Sequence, residues 1–213
     1  GNAQLDRPYG VATDAAGTVY VADMGNNRIQ RFTNAGAYVT QWGTTGEGKG
    51  QFTNPVGVAV DAAGCVYVTD HLNHRIQKFT GTGRYLAEWR TGQFPYGVVA
   101  DADRNIYVAD ADGSVLKFTK RGTLIGTWGG TGSGNGQFQA PRLMAADADG
   151  SILVADGENQ RVQEFTGTGT YVSQFGTPGT GNGEFMNPHG VAAGGGGLIY
   201  VSDAFNKRVQ VFS

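Results

Sequence analysis

The histidines are the residues of this chain that could hold a catalytic metal ion. Only three are present, at His71, His74 and His189. His71 and His74 lie three residues apart in a predicted turn, a spacing that two ligands of one ion can use. A catalytic zinc site needs a third protein ligand, and no further candidate stands near them in the sequence. We therefore predict that both are surface histidines and not a metal site.

Serine chemistry and phosphate binding are also not supported by the sequence. None of the six serines stands in a Gly-x-Ser-x-Gly motif, which presents a nucleophile on a sharp turn. The glycine-rich segments 129–136 and 176–183 lack Gly-Lys-Ser/Thr and precede an aromatic residue and a strand, whereas a phosphate loop precedes a helix. We predict no catalytic residues, no metal and no cofactor.

A repeat positions these residues and runs along the whole chain. Each copy begins with a Pro-x-Gly-Val-Ala-like segment, followed by a turn, a Val-Tyr-Val-Ala-Asp strand and, in four of five copies, Asn-x-Arg-Ile-Gln. The period is 40 to 47 residues, measured between the opening prolines Pro8, Pro55, Pro95, Pro141 and Pro188. A period of this length with four short strands per copy is typical of a β-propeller blade.

Each copy predicts four antiparallel strands, which we name a to d from the propeller axis outward. In the first copy they cover residues 10–13, 19–22, 28–32 and 38–42. The 36 glycines suit many short strands joined by tight turns, and no segment has the pattern of an amphipathic helix. Aromatic residues after the crossing segments are predicted to plug the spaces between blades: Phe52, Phe94, Phe138 and Phe185.

The fifth copy has strands a to c but no strand d. We therefore predict 19 strands, with four four-stranded blades and a last blade of three. Residues 1–213 are predicted to form one domain, because no linker interrupts the repeat. Two explanations for the last blade stay open. Either five blades close by side-chain packing alone, or the chain is part of a six-bladed or multi-chain ring, in which the open blade would support a homo-oligomer.

Four short motifs resemble the NHL repeat: Asn26–Gln30, Asn73–Gln77, Asn159–Gln163 and Asn206–Gln210. The resemblance covers essentially the whole chain, although the third copy departs from it at Gly113–Lys117. It implies an all-β, NHL-type propeller and leaves the function open, since one fold hosts many functions. The motif arginine follows the aspartate of strand b by five residues in four copies, so we predict a structural ion pair across each turn.

The resemblance also indicates where a ligand would bind. In similar propellers the residue after the opening proline lies near the mouth of the axial channel. Concave sites that mix aromatic and polar side chains are the usual ligand sites, and a water-filled channel without a ligand is the alternative. The predicted ligand-binding residues at the axial mouth are Tyr9, Val56, Tyr96, Arg142 and His189.

Similar enzymes provide a test for catalysis. Propellers that resemble the peptide-amidating lyase hold zinc through histidines at this position in several blades, and only His189 matches here. Propeller lactonases hold calcium through axial carboxylate and amide oxygens, and the predicted ring contains no carboxylate. We expect no enzymatic activity. A lyase or lactonase with an unrecognised metal site is the alternative.

Charge and composition limit the partners. The net charge of −2 gives no general attraction to nucleic acid, whose binding needs concentrated Lys and Arg, and no apolar run approaches the roughly 20 residues that span a bilayer. Cys65 is the only cysteine, so no internal disulfide forms. We predict a rigid, non-enzymatic scaffold that binds a protein, peptide or small ligand at its axial face. An engineered or truncated propeller that mainly self-assembles is the alternative.

Overall fold

The computed structural model describes residues 1–213 as five antiparallel sheets arranged as propeller blades. Blades 1 to 4 have four strands and blade 5 has three, which confirms the predicted all-β propeller and its 19 blade strands. Helix is limited to three segments of three residues, Met24–Asn26, His71–Asn73 and Gly195–Gly197. None of them has the length or apolar character to cross a membrane.

The strand bounds follow the repeat closely. Blade 1 consists of Pro8–Thr13, Val19–Asp23, Arg28–Phe32 and Tyr38–Trp42. Blade 2 consists of Pro55–Val60, Cys65–Asp70, Arg75–Thr80 and Tyr85–Arg90. Blade 3 consists of Pro95–Ala100, Ile106–Asp110, Ser114–Phe118 and Leu124–Gly129. Blade 4 consists of Pro141–Ala146, Ile152–Asp156, Arg161–Phe165 and Tyr171–Phe175. Blade 5 consists of Pro188–Ala193, Ile199–Asp203 and Arg208–Phe212. Two crossing segments add short parallel pairs, Thr44–Thr45 with Gln51–Phe52 and Thr177–Pro178 with Glu184–Phe185.

A buried carboxylate at the end of strand b organises each regular blade. In blade 4, Asp156 accepts hydrogen bonds from the side chains of Asn159, Arg161 and Gln163 at 2.8–3.1 Å. The guanidinium of Arg161 also donates to the carbonyl oxygens of Gly134 and Gln137 at 2.8 and 3.0 Å. One arginine therefore ties the b–c turn to the segment that crosses from the preceding blade. The predicted ion pair is present in all four blades that carry the motif, with Nε–Oδ2 distances of 2.7–2.9 Å.

Blade 3 lacks this network. Ser114 occupies the register position of the arginine, and the crossing segment before this blade is shorter, so the carbonyls that an arginine would bind are missing too. Asp110 remains fully buried with Oδ1 unpartnered, and burial raises its pKa. The shorter crossing segment also changes the position of the aromatic residue that was predicted to plug the space before blade 3. Phe52, Phe138 and Phe185 are buried between blades as expected, but the prediction for Phe94 is wrong, because this ring is exposed.

Apolar side chains fill four of the five spaces between neighbouring blades, which we call seams. The seam between blades 1 and 2 contains Tyr20 and Ile29 from blade 1 packed against Val58, Val66 and Phe79 from blade 2. Equivalent clusters lie between blades 2 and 3, 3 and 4, and 4 and 5. Between blades 5 and 1 no such cluster forms, and apolar side chains of both blades remain exposed. The five blades thus form a ring with one open seam.

The buried ion pairs should contribute strongly to stability. Replacing Arg161 with Met leaves the buried carboxylate of Asp156 without its cation, and we expect the free energy of unfolding to fall by about 3–5 kcal/mol in chemical denaturation. The matched control is Arg84→Met, since Arg84 is exposed and only its backbone makes hydrogen bonds; this change should stay within about 0.5 kcal/mol. Equal losses for both variants would contradict a structural role for the pair.

Candidate functional site

Close contact between innermost strands builds the axial face. A Cβ atom added at Gly10, Gly57 or Gly97 would lie 2.5 Å from a strand-a carbonyl oxygen of the next blade, so only glycine permits this approach. At Gly190 the nearest atoms to such a Cβ belong to Ser202 of its own blade and Leu143 of blade 4. The innermost strands of blades 1 to 3 therefore each approach the next blade closely, and the glycine of blade 5 makes no such approach to blade 1.

The strand-b carboxylates set the start of each innermost strand. In all five blades the aspartate accepts a bond from the backbone N–H of the residue two positions before the opening proline, at 2.7–3.0 Å. In blade 4 this bond runs from Gln139 to Asp156, three residues before Arg142. The network that stabilises the blade thus also fixes the backbone that carries the predicted mouth residue.

The predicted mouth residues are all the second residue of an innermost strand. Tyr9, Tyr96, Arg142 and His189 are half-buried, whereas Val56 is 2% exposed and offers almost no surface to a ligand. The Tyr9 and His189 rings stack with their centroids 5.9 Å apart, and the Arg142 guanidinium lies 5.0 Å from the centre of the Tyr96 ring. The mouth therefore contains one stacked pair of aromatic rings and one cation–π pair.

His71 joins the mouth from the turn after strand b of blade 2. Its ring lies 4.6 Å from that of Tyr96, and its Nδ1 donates to the carbonyl oxygen of Pro95 at 3.2 Å. His74 is directed elsewhere, because it packs on Phe94 at 4.5 Å and its Nδ1 donates to the carbonyl oxygen of Gln93. Both histidines thus pack on the ring of Phe94. No group of three or more His, Cys, Asp or Glu side chains comes together to hold a metal ion.

Two polar atoms at the mouth are buried without a hydrogen-bond partner. They are Oη of Tyr9 and Nε of Arg142. The guanidinium lies close enough to Tyr9 to lower the pKa of its hydroxyl, but burial acts more strongly and the net pKa is raised. Unsatisfied buried donors of this kind are costly, and native proteins usually pair them with solvent or a ligand. Both atoms have less than 1 Å² of exposed surface and belong to neighbouring side chains, so a polar group that enters the mouth reaches them only when these side chains shift.

Arg142 is the cation of the mouth at neutral pH. Burial lowers the pKa of His189, and the nearby Arg142 charge lowers it further. The pKa of His71 is lowered as well, mainly by burial. Both rings are therefore neutral at pH 7, because their ordinary pKa already lies below it. The mouth combines one positive charge with neutral aromatic surfaces.

An apolar cavity of about 300 Å³ lies below the mouth. Tyr9 borders it, and Tyr200, Ser202 and Val209 line it at the open seam. Its walls are formed chiefly by the innermost strands of all five blades, and the fourth residue of each strand contributes an apolar side chain: Val11, Val58, Val98, Met144 and Val191. The sequence analysis missed these residues. Their regular place two positions after the mouth residue is the signal that could have found them, because alternate residues of a strand share a face.

The fold defines this chain as a β-propeller, and the sequence comparison defines its family. The model of the NHL repeat matches residues 5–32, 52–79, 138–165 and 185–212, more than half of the chain. The protein therefore belongs to the NHL-repeat family. The unmatched copy is blade 3, which lacks the motif arginine.

Solved structures share the fold at low sequence identity. The virginiamycin B lyase of Staphylococcus aureus is 16% identical, with a TM-score of 0.71 over 97% of this chain and 69% of that one. A chain in a nidogen/laminin complex is 20% identical, with a TM-score of 0.73 over 97% of this chain and 75% of that one. A streptogramin B lyase is 18% identical, with a TM-score of 0.65 over 97% and 82%. No curated protein sequence matches this chain.

The electrostatics of the mouth can be tested by NMR titration of His189. Replacing Arg142 with Gln removes the nearby positive charge, so the pKa of His189 should rise, yet stay below its ordinary value because burial remains. Because the native-state pKa is lowered, His189 makes the protein less stable as pH falls below the unfolded value. The control is Arg121→Gln in an exposed turn, which should leave the titration unchanged. An unchanged pKa in the Arg142 variant would contradict the proximity of the two groups.

Proposed function

We propose that this propeller is a rigid, non-enzymatic binding scaffold whose ligand enters the axial mouth. The observation that carries the proposal is the pair of buried, unpartnered donors, Tyr9 Oη and Arg142 Nε, above an apolar cavity. A ligand that supplies an acceptor to these atoms and fills the cavity would satisfy both features at once. Concave apolar sites with a few convergent polar groups are the usual form of a ligand site.

The chemistry of the mouth favours an anionic ligand with an apolar body. No Asp or Glu carboxylate oxygen lies within 4.0 Å of a guanidinium nitrogen of Arg142, so its positive charge has no ion-pair partner. A guanidinium binds a carboxylate through charge-assisted hydrogen bonds. The apolar wall formed by Val58, Val98 and Met144 suits a phenyl or branched aliphatic group. A free carboxylic acid and the C-terminus of a peptide both have this chemistry.

The position of the mouth residues supports a preformed site. Each of them lies at an irregularity of the ladder between strands a and b, directly after an opening proline that is paired with the strand-b aspartate. Regular pairing resumes at the third or fourth residue of the strand, so the paired residues on both sides and the aspartate network hold this backbone, and binding requires little ordering of it. Preorganisation of this kind raises affinity by reducing the entropy lost on binding.

The neighbouring structures support two roles for this fold. One belongs to a nidogen/laminin complex, in which a propeller is part of a protein assembly, and two others are lyases. Binding is the role we propose here. Two histidines lie at the mouth, His189 in the ring of predicted residues and His71 beside Tyr96, and no group of three metal-binding side chains forms around them.

The proposal is tested by isothermal titration with 3-phenylpropionate and its neutral amide. We expect the carboxylate to bind, the amide to bind at least about tenfold more weakly, and Arg142→Gln to weaken carboxylate binding by a similar factor, because a charged hydrogen bond is lost. Arg121→Gln is the matched control and should bind as the native chain does. A short peptide ending in Phe, with a free or an amidated C-terminus, separates the two sources of the carboxylate.

Two outcomes would contradict the proposal. Absence of binding by every carboxylate probe would remove the anion site, and equal affinity in the Arg142 and Arg121 variants would place binding outside the mouth. Conversion of a streptogramin substrate by the native chain would show that the protein is an enzyme.

A further inference from the structure

Every blade has two different apolar faces. We call the face toward the next blade along the chain the leading face and the opposite one the trailing face. The leading face presents the second residue of strand c and one residue of strand b, which is a tyrosine in every blade except blade 4, where it is Leu153. In blade 1 these two residues are Ile29 and Tyr20. The trailing face presents the fourth residue of strand a and valines or isoleucines of strand b; in blade 2 these are Val58, Val66 and Val68.

The four closed seams all pair a leading face with a trailing face. Strand-b residues of the leading faces are at most 1% exposed: Tyr20, Tyr67, Tyr107 and Leu153. Strand-c residues of these faces are fully buried: Ile29, Ile76, Val115 and Val162. Strand-a residues of the trailing faces are 5–7% exposed: Val58, Val98, Met144 and Val191. This pairing is the standard contact of the molecule.

One leading face and one trailing face remain without a partner. On the leading face of blade 5, Tyr200 is 39% and Val209 is 63% exposed. On the trailing face of blade 1, Val11 is 64% exposed. These residues occupy the same register positions as the buried ones in the closed seams. The two halves of a seam are therefore displayed at opposite ends of one chain.

The free leading face is also more apolar than its counterparts. At the fourth residue of strand c, blades 1 to 3 carry Arg31, Lys78 and Lys117, whose cations lie 5.0–5.9 Å from the ring of the strand-b tyrosine. Blade 5 carries Val211 at this position, and it is 55% exposed. Contiguous apolar surface of this kind marks an interaction site in a folded protein.

Blades 1 and 5 do not bury these faces against each other. They meet at the mouth, where Tyr9 stacks on His189, while Val11, Val209 and Val211 stay exposed. Within residues 1–213, both halves of the seam are therefore uncovered. A second copy carries the half that each end lacks, in the residue types that pack in the four closed seams.

We propose that the open seam is an interface between copies of this chain, in which the leading face of blade 5 packs head to tail on the trailing face of blade 1 of a second copy. The contact is heterologous, because two different surfaces meet, so association can continue beyond two chains or close into a ring. The interface residues Val11, Tyr200 and Val209 also line the apolar cavity of the proposed ligand site, so association and ligand binding share a surface.

The test is molar mass by light scattering across a wide concentration range, with one variant for each half of the interface. We expect the native chain to exceed its monomer mass of 22.4 kDa as concentration rises. Val209→Glu disables the face of blade 5, and Val11→Glu disables the face of blade 1, so each variant alone should remain a monomer. An equimolar mixture keeps one intact face of each kind, and it should form a species of twice the monomer mass and nothing larger.

The control is Val172→Glu, since Val172 is 49% exposed on strand d of blade 4, away from the open seam. It should associate as the native chain does, and thermal unfolding should show that all variants fold. A native chain that stays at 22.4 kDa throughout would overturn the proposal. So would a mixture that remains monomeric, or a Val11→Glu variant that still forms dimers, because such dimers would use blade 5 alone.

Discussion

A carboxylate buried at the end of strand b is the interaction on which the rest of the structure depends. In blade 4, Asp156 binds the guanidinium of Arg161 on one side and the backbone N–H of Gln139 on the other. The first contact holds the b–c turn and the crossing segment, and the second sets the start of the innermost strand. Arg142 lies three residues after Gln139, so the carboxylate that stabilises the blade also positions the backbone of the mouth. Blade 3 keeps only the second contact, through Asp110 and Gln93.

Packing between blades is a separate requirement from pairing within them. Backbone hydrogen bonds complete each sheet, but every sheet has two apolar faces, and only a neighbouring blade covers them. Four such contacts bury the leading and trailing faces almost fully, and the fifth is open although the sheets on both sides are regular. The axial mouth spans this boundary through Tyr9 and His189, so the candidate ligand site and the open seam lie next to each other.

The sequence predicted the features that repeat and missed those that depend on how the repeats meet. Periodicity gave the strands to within about two residues, and the five-residue spacing of aspartate and arginine gave the ion pairs, because both are local. Phe94 was wrongly predicted as a plug, since the shorter crossing segment before blade 3 alters its position. Val56 shares the register of the other mouth residues but is buried. The open seam could not be predicted, because the curvature of a ring depends on all blades together.

Amide hydrogen exchange at low protein concentration tests most directly whether packing between blades protects this fold. The strands to compare are Ile152–Asp156 in blade 4 and Ile199–Asp203 in blade 5, each of which is paired on both sides within its own blade. The account predicts slow exchange in blade 4 and exchange at least about a hundredfold faster in blade 5, because the latter opens without global unfolding. Equal protection of both strands in a proven monomer would contradict it.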